Sequence, residues 1–553
     1  MNSKTASPGL SGLAILFVAL ALSIGWGVRG NWGHEFGAMI PGALSAMAVV
    51  LVSGRDDWYR RIAFFAFFGA VGWSFGGSIS YMQVIAFTHS GHAPSVLYGF
   101  ACLFLIGFLW AAAGGAGTAL SAFLDRDRLT ELLLPTSAVF AGWVLQDLFF
   151  GAYFNGVRLL DTQIFSGLRQ QLNEGLITRE QFKDQIKWID WNDTDWIAVV
   201  VAAAAVLLLA LVRRRVCWGT SLVLHLCAGW WLGFTVLTVG LGLRMTPPRG
   251  DNWAGALGMT SALFLFLYRH REWGITWTAL VTGLFGGLGF SGATLIKLVL
   301  VQSEFQQRVF GGPIASNWHS ILEQTFGFIS GVGVALAIGF WCTRAPRRSE
   351  QPPVRRWAEP LCVLFVMLAI TYVNIVKNLE AVWLKEGRIL HEELWGVSTY
   401  SWFSVAYLAL AIVVALPLWA YYRGREIAVL PASRLGKGQL FFIIFLWWIV
   451  LGNLSRTVPF AEQRLITEGV IHINACLCTL LALLLPSRER TAGADASFSD
   501  SGLLRKTAIA GAIAAAVVVA GEFTLVRAMW GDTFAGQANL HIRFGPNATL
   551  DKK

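Results

Sequence analysis

The chain has 553 residues, of which 55% are hydrophobic and only 14% are charged, and its mean hydropathy is +0.57. This composition excludes an ordinary soluble domain and indicates a polytopic membrane protein. A net charge of +10 would suggest nucleic-acid binding in a soluble protein. Here the basic residues lie between apolar segments, so we expect a lipid bilayer and no nucleic acid as the partner.

Apolar segments long enough to cross a membrane follow one another from end to end of the chain. We count about fifteen, each of roughly twenty residues. They cover approximately residues 10–28, 36–53, 61–88, 96–124, 131–153, 196–213, 218–243, 253–268, 275–301, 319–342, 358–377, 398–422, 438–455, 469–486 and 506–529. Because helices satisfy their backbone hydrogen bonds internally, as lipid requires, we predict an all-α polytopic membrane protein with about fifteen transmembrane helices.

Basic residues follow every even-numbered segment, and fewer follow the odd-numbered ones. The clusters after the second and sixth segments are Arg55, Arg60 and Arg61, and Arg213, Arg214 and Arg215. Lys and Arg collect on the cytoplasmic side of membrane proteins. We therefore place the N-terminus in the cytoplasm and the C-terminus outside, in a bacterial cytoplasmic membrane.

The first segment ends in a motif that recurs, in which two alternating glycines precede an arginine. The copies lie at 25–29, at 240–244 and, in a weaker form, at 452–456. Their arginines, Arg29, Arg244 and Arg456, are about 215 residues apart, which indicates a duplicated unit far longer than a solenoid repeat.

The recurrence predicts two parallel six-helix repeats followed by a three-helix partial repeat. The expected boundaries are membrane repeat 1 at 1–215 with an extracytoplasmic amphipathic segment at 154–195, membrane repeat 2 at 216–426, partial repeat 3 at 427–530 and an extracytoplasmic tail at 531–553. An even number of helices in each repeat makes successive repeats point the same way across the membrane.

The repeated arginines are the first candidates for a substrate site. At the matching place in the third helix of each repeat lie Gln83, Lys297 and Arg527, and beside two of the arginine turns lie Trp32 and Trp253. Several guanidinium groups around one outward-facing cavity would suit an anion, and the indoles would stack on sugar rings. The alternative is that each arginine reaches the lipid headgroups or caps a helix end.

Carboxylates and a histidine inside or close to the apolar segments form a second group of candidates. They are Asp147, Glu323, Glu462, Glu468, Glu522 and His472. An intramembrane carboxylate is costly and needs a partner, so these residues either form structural ion pairs with the arginines or make a coupling site for a proton or cation. The sequence leaves both interpretations open.

His34 and Glu35 directly follow the first arginine turn, and the second repeat has no equivalent pair. Such a pair would serve as acid and base in a membrane-embedded enzyme. No HExxH-type spacing supports a metal site, and no nucleotide-binding motif is found, so we expect no cofactor.

The loop Gly54-Arg55-Asp56-Asp57-Trp58-Tyr59-Arg60-Arg61 resembles the basic loop of major facilitator transporters, whose halves are also parallel six-helix repeats. The resemblance covers this loop and the topology of about twelve helices; the loop lacks the family's usual second glycine, and three further helices depart from that family. It implies secondary transport.

Two functions follow as hypotheses. The first is a secondary transporter or uptake protein for an anionic or sugar-like solute that binds in the arginine-lined cavity. The alternative is a transferase or hydrolase with an extracytoplasmic active site for a lipid-linked or glycan substrate. A closed-floored cavity with His34 beside a carboxylate would favour catalysis, whereas a polar path past the midplane would favour transport.

Overall fold

The computed structural model describes residues 11–29, 35–76, 79, 81–89, 93–186, 195–243, 245, 251–314, 316–345, 357–371, 391–423, 436–457 and 461–485. Some side chains of helix residues within these ranges lie outside the described part. The structure is 86% helical, with almost no sheet among the described residues, in agreement with the predicted all-α class.

The helices of the described residues are numbered in chain order. They are α1 (Gly12–Arg29), α2 (Glu35–Val52), α3 (Asp56–Tyr59), α4 (Ile62–Gly76), α5 (Met82–Phe87), α6 (Ala93–Phe123), α7 (Arg126–Asn173), α8 (Arg179–Ile186), α9 (Asp195–Arg213), α10 (Trp218–Gly233), α11 (Asp251–Arg269), α12 (Trp273–Leu300), α13 (Ser303–Phe310), α14 (Trp318–Cys342), α15 (Ala358–Leu364), α16 (Thr399–Tyr422), α17 (Lys437–Thr457) and α18 (Ala461–Leu484). Helices α10 and α15 continue as π-helices through Phe234–Gly240 and Phe365–Ile370. The strands β1 (Glu393–Leu394) and β2 (Val397–Ser398) form a short antiparallel hairpin.

Among the described residues, eight helices are long and apolar enough to cross a membrane. Their apolar parts are Gly12–Arg29, Val96–Phe123, Arg126–Gly151, Asp195–Arg213, Trp218–Gly240, Trp273–Leu300, Trp318–Cys342 and Thr467–Leu484. The protein is therefore an integral membrane protein. The count of about fifteen helices, the duplicated architecture and the orientation of the termini stay predictions.

The chain divides into two compact units. The larger unit comprises Met1–Gly77, Trp110–Phe123 and Trp277–Lys553, and the smaller unit comprises Ser78–Leu109 and Leu124–Thr276. This division is based on packing, and its boundaries differ from those of the predicted repeats. The repeats were predicted from duplicated sequence, so the division into packed units does not test them.

Helix α1 lies at the centre of the larger unit. Every residue from Phe17 to Arg29 is buried, and α14 lies along it. Contact is close because α14 has glycines on that face: a methyl group on Gly331 would come within 2.6 Å of the Cα atom of Ala19. Helices α2 and α4 approach in the same way, since a methyl group on Gly42 would lie 2.4 Å from the backbone oxygen of Gly69. In a lipid bilayer the hydrophobic effect does not drive helices together, so close packing at small residues stabilises these helix pairs.

The smaller unit packs α10 against α11 by the same principle. A methyl group on Gly233 would lie 2.1 Å from the backbone oxygen of Ala254. Its helices α7 and α9 are joined by the indole N–H of Trp143, which donates to the carbonyl of Ala198 over 2.8 Å.

One helix boundary differs from the predicted segments. The segment 61–88 contains two helices, α4 and α5, because α4 ends at Gly76 in a glycine-rich stretch. Residues 154–173 continue α7 without interruption, and α8 follows. The extracytoplasmic amphipathic segment predicted at 154–195 stays a prediction.

Candidate functional site

A buried ion pair joins two membrane-spanning helices of the larger unit. Arg29 is the last residue of α1, and Glu323 lies in the second turn of α14. The Nη1 atom of Arg29 donates to Oε1 of Glu323 over 2.9 Å, and each side chain exposes only 2% of its surface. Two of the predicted site residues are therefore in direct contact, with both charges removed from water.

Helix ends favour this arrangement of charges. The C-terminal end of a helix carries partial negative charge and the N-terminal end partial positive charge. Arg29 lies at the C-terminal end of α1, and Glu323 follows the N-terminal turn of α14, whose first turn is capped by Asn317. Each charge is thus placed near the helix end of opposite sign.

His319 is the second neighbour of the Glu323 carboxylate. Its Nε2 atom lies 3.5 Å from Oε1 of Glu323, the same oxygen that Arg29 contacts. The side chain of His319 exposes 17% of its surface, compared with 2% for Glu323. His319 is therefore more exposed than the carboxylate it contacts, although its Nδ1 atom is itself buried.

Five aromatic rings pack beside the ion pair, on the side that faces the middle of the two helices. We call them the aromatic cluster: Trp26, Trp73, Trp110, Phe290 and Phe326. The rings of Trp26 and Trp110 stack with centroids 5.1 Å apart. The Cζ atom of Arg29 lies 5.2 Å from the Trp26 centroid and 5.5 Å from the Trp110 centroid, within the range of a cation–π interaction.

Gln324 connects this site to α18. Its Nε2 atom donates to Oγ of Ser320 over 3.1 Å and to the backbone carbonyl of Thr467 over 3.3 Å. Its Oε1 atom is buried and accepts no hydrogen bond from the described residues. Gly27 of α1 makes room for this side chain, because a methyl group there would lie 2.5 Å from Cγ of Gln324.

A second group of polar residues includes Glu468, which follows Thr467 in α18. Nδ2 of Asn453 donates to Oε2 of Glu468, which is buried. Nδ1 of His472 lies 2.5 Å from the backbone carbonyl of Glu468. Because a carbonyl only accepts, Nδ1 carries the proton, and Nε2 of His472 is buried with no partner among the described residues.

Lys297 and Trp253 are two further candidates that the structure describes. Lys297 is buried near the end of α12, with 3% of its surface exposed, in the larger unit. Trp253 is half-buried in α11 of the smaller unit, and its indole N–H has no partner among the described residues.

The remaining candidates stay predictions. Outside the described residues lie Trp32, His34, Arg244, Glu522 and Arg527. Inside described helices, but with side chains outside the description, lie Glu35, Gln83, Asp147, Arg456 and Glu462. The proposed convergence of three arginines is therefore untested, as is the His34–Glu35 pair.

The sequence alone missed a buried charge network after the second segment. Arg55 and Arg61, interpreted as topological charges, expose 3% and 1% of their surface. Arg55 forms two hydrogen bonds with the carboxylate of Asp57, and Nη2 of Arg61 lies 3.8 Å from Oδ2 of Asp57. Arg55 also donates to the carbonyl of Ala345 over 2.6 Å. An aspartate between two arginines in a short loop is the signal that would have indicated such a network.

Comparison with protein-family models, with curated proteins and with solved structures found no match to this chain.

Proposed function

We propose that the protein is a secondary transporter that takes up an anionic or sugar-like solute, with Arg29 as its principal anion-binding group. The observation that carries the proposal is the Arg29–Glu323 ion pair, which joins two membrane-spanning helices and is almost completely buried. Ionisable residues within membrane helices characteristically mark substrate or ion pathways.

Packing alone gives no reason for this pair. Apolar side chains of similar volume are often as stabilising as a buried ion pair, because desolvation offsets most of the attraction between the charges. A guanidinium in this position has another use, since its planar fork binds carboxylates, phosphates and sulfates. In our proposal the carboxylate of Glu323 occupies the position that a solute anion takes during transport.

In our proposal the aromatic cluster acts as a gate between the anion site and the middle of the membrane. Its rings follow Arg29 and Glu323 toward the middle of α1 and α14, where a solute would continue through the membrane. Two indoles of the cluster, those of Trp26 and Trp73, have N–H groups with no partner among the described residues. A passing sugar hydroxyl would satisfy these donors.

The test is uptake by purified protein in liposomes. The probes are radiolabelled D-glucuronate, inorganic phosphate and sulfate, each offered outside the vesicles. We expect saturable uptake of at least one probe and a loss of about tenfold or more in Arg29→Ala, equivalent to about 1.4 kcal/mol or more of lost binding. Arg308→Ala is the matched control, because Arg308 exposes 81% of its side chain. Uptake no faster than in empty liposomes for all three probes, with folded protein, would overturn the proposal.

A membrane-embedded transferase or hydrolase for a lipid-linked or glycan substrate is the second candidate. The observation that favours it is the group of Asn453, Glu468 and His472, in which Nε2 of His472 is positioned as an unpaired base among the described residues. The test offers a polyprenyl-linked sugar to the protein in detergent and follows product by mass spectrometry. Product that is lost in His472→Ala, without uptake of any of the three probes, would favour this candidate over transport.

A further inference from the structure

We infer that the smaller unit binds anionic phospholipids at the end where α9 and α11 terminate, and that Arg214 and Arg271 contact the lipid phosphates. Both arginines have a left-handed backbone conformation, on a basic surface beside exposed apolar side chains. The inference does not depend on the proposed transport function, because all of its residues lie in the smaller unit, away from the Arg29–Glu323 pair.

Helices α9 and α11 end in the same backbone motif. In α9 the N–H of Arg214 donates to the carbonyl of Leu211, and the N–H of the next residue donates to that of Ala210, each over 3.1 Å. The end of α11 repeats this pair of bonds, with Arg271 at the position of Arg214. This is a Schellman motif, in which the residue after the helix is left-handed and usually glycine. Here Arg214 and Arg271 have φ values of 50° and 57°.

The end of α7, in the same unit, shows the usual form of the motif. Its left-handed residue is Gly175, with a φ of 74°. An arginine in this conformation costs free energy that glycine does not. Membrane topology does not require that cost, because a basic residue anywhere in a short connection has the same effect on orientation. Two arginines at such positions therefore indicate that the placement of their guanidinium groups has a function.

Helix dipoles do not account for these two arginines. A cation is favourable in the last turn of a helix. Arg213 and Arg269 already occupy the last turns of α9 and α11. Arg214 and Arg271 follow the helices, so each adds a second cation at a helix end that already has one.

The connections that follow α9 and α11 both contact the start of α7. Nη1 of Arg128 donates to Oε1 of Glu272 over 2.9 Å, and Nη2 of Arg215 donates to Oε1 of Glu131. Arg128 and Glu131 lie within one turn of each other in α7. The two connections therefore belong to one end of the smaller unit, which we call the basic end.

The basic end has more positive than negative charge. Its charged residues are Arg126, Arg128, Arg213, Arg214, Arg215, Arg269 and Arg271, with Asp125, Asp127, Glu131 and Glu272. Seven arginines and four carboxylates leave an excess of three positive charges. Arg214 and Arg271 are exposed, and neither forms an ion pair with another residue of the described part of the chain.

Apolar side chains beside these arginines provide a surface for lipid chains. Leu211 and Val212 of α9, Tyr268 of α11 and Trp273 of α12 each expose more than half of their surface. Helix α9 is long and apolar enough to cross the membrane, so the arginines directly after it lie at the level of the lipid headgroups. A phospholipid fits both features, because its chains cover the apolar side chains and its phosphate oxygens match the guanidinium fork. The excess positive charge favours an anionic lipid.

The experiment measures lipid binding to the purified full-length protein in detergent. Native mass spectrometry counts bound lipids during titration with phosphatidylglycerol, or with phosphatidylcholine that has the same acyl chains. We expect the wild type to bind phosphatidylglycerol more tightly. Arg214→Gly and Arg271→Gly should each weaken this binding about fivefold, the effect of one arginine near a membrane surface. Binding of phosphatidylcholine should stay unchanged.

Glycine is the replacement because it removes the guanidinium group and the backbone strain together. Both variants should therefore unfold in lipid-free detergent at the temperature of the wild type or above it. Weaker binding then cannot be attributed to misfolding. Arg169→Gln is the matched control, because Arg169 is exposed near the opposite end of α7 and its loss removes the same charge. Its lipid binding should equal that of the wild type.

Three results would overturn the inference. The first is equal affinity of the wild type for the two lipids. The second is wild-type affinity for phosphatidylglycerol in the double variant Arg214→Gly with Arg271→Gly. The third is displacement of phosphatidylglycerol by excess inorganic phosphate, which would indicate a site for a free anion in which the acyl chains have no part. None of these results affects the transport function, and absence of solute uptake would leave the lipid site standing.

Discussion

Arg55 and Asp57 form a bidentate ion pair within the connection between α2 and α4. Nε of Arg55 donates to Oδ1 of Asp57 over 2.9 Å, and Nη2 donates to Oδ2 over 2.6 Å. The remaining nitrogen of Arg55 reaches the carbonyl of Ala345, just beyond the end of α14. One guanidinium therefore ties this connection to a residue 290 positions later in the chain.

The first prediction concerns Asp57. Replacement by Asn leaves two buried arginines without their carboxylate, so Asp57→Asn should lower the free energy of unfolding by about 3–5 kcal/mol. The measurement is unfolding of the detergent-solubilised protein in an SDS titration. The adjacent Asp56 is exposed, and Asp56→Asn should stay within about 0.5 kcal/mol of the wild type. Equal effects of the two changes would contradict the network.

A second prediction concerns the stability of the Arg29–Glu323 pair, apart from its proposed role in transport. Arg29→Met leaves the buried carboxylate of Glu323 without its guanidinium partner and should cost about 3–5 kcal/mol. The double change Arg29→Met with Glu323→Leu should recover most of this loss, because neither charge is then buried alone. The readout is again the unfolding midpoint. A double variant as unstable as the sum of the single ones would show that the two residues do not interact.

A third prediction concerns the glycine contact between α2 and α4. Gly42→Ala places a methyl group 2.4 Å from the backbone oxygen of Gly69, and two backbones must separate to relieve it. Overpacking of this kind should cost about 1–3 kcal/mol. Gly469 in α18 has nothing within 4 Å of the added methyl group, so Gly469→Ala should be neutral or stabilising by up to about 1 kcal/mol. Thermal unfolding of both variants compares the two positions directly.

A fourth prediction concerns Tyr59, which joins α3 to the start of α17. Its hydroxyl donates to the side-chain oxygen of Gln439 and accepts from the backbone N–H of Gly438 over 3.1 Å. Tyr59→Phe leaves the buried Gln439 oxygen without this donor and should cost about 1–3 kcal/mol. A double-mutant cycle with Gln439→Leu should show a coupling of at least about 0.5 kcal/mol. Strict additivity of the two changes would exclude the contact as a source of stability.

Much of the fold is readable from the sequence because lipid imposes a simple rule. Long apolar segments must be helical, and the segments at 10–28, 96–124 and 319–342 correspond closely to α1, α6 and α14. Hydropathy does not, however, mark where a helix ends. Helix α7 continues past the apolar boundary at 153, because its hydrogen bonds are internal and need no change when the chain leaves lipid.

The contacts within the candidate site could not be predicted from the sequence in the same way. The sequence singled out Arg29 and Glu323 separately, because ionisable residues stand out in apolar segments. It offered ion pairs between the carboxylates and the arginines as one of two interpretations, but it did not indicate which residues would pair, since 294 positions separate Arg29 from Glu323 and their contact depends on which helices are neighbours. Trp110 and Gln324 were missed for another reason: tryptophan and glutamine in membrane helices have ordinary packing roles, and only their contacts with Arg29 and Thr467 distinguish them.

The length of helix α7 provides a way to determine the orientation of the protein in the membrane. Its 48 residues make it about 72 Å long at about 1.5 Å per residue, more than twice the roughly 30 Å of a bilayer's hydrocarbon core. The end of α7 near Asn173 therefore extends beyond the lipid as a continuous helix. An epitope inserted there would be reachable from one face of a sealed vesicle alone, and antibody binding before and after permeabilisation would reveal which face that is.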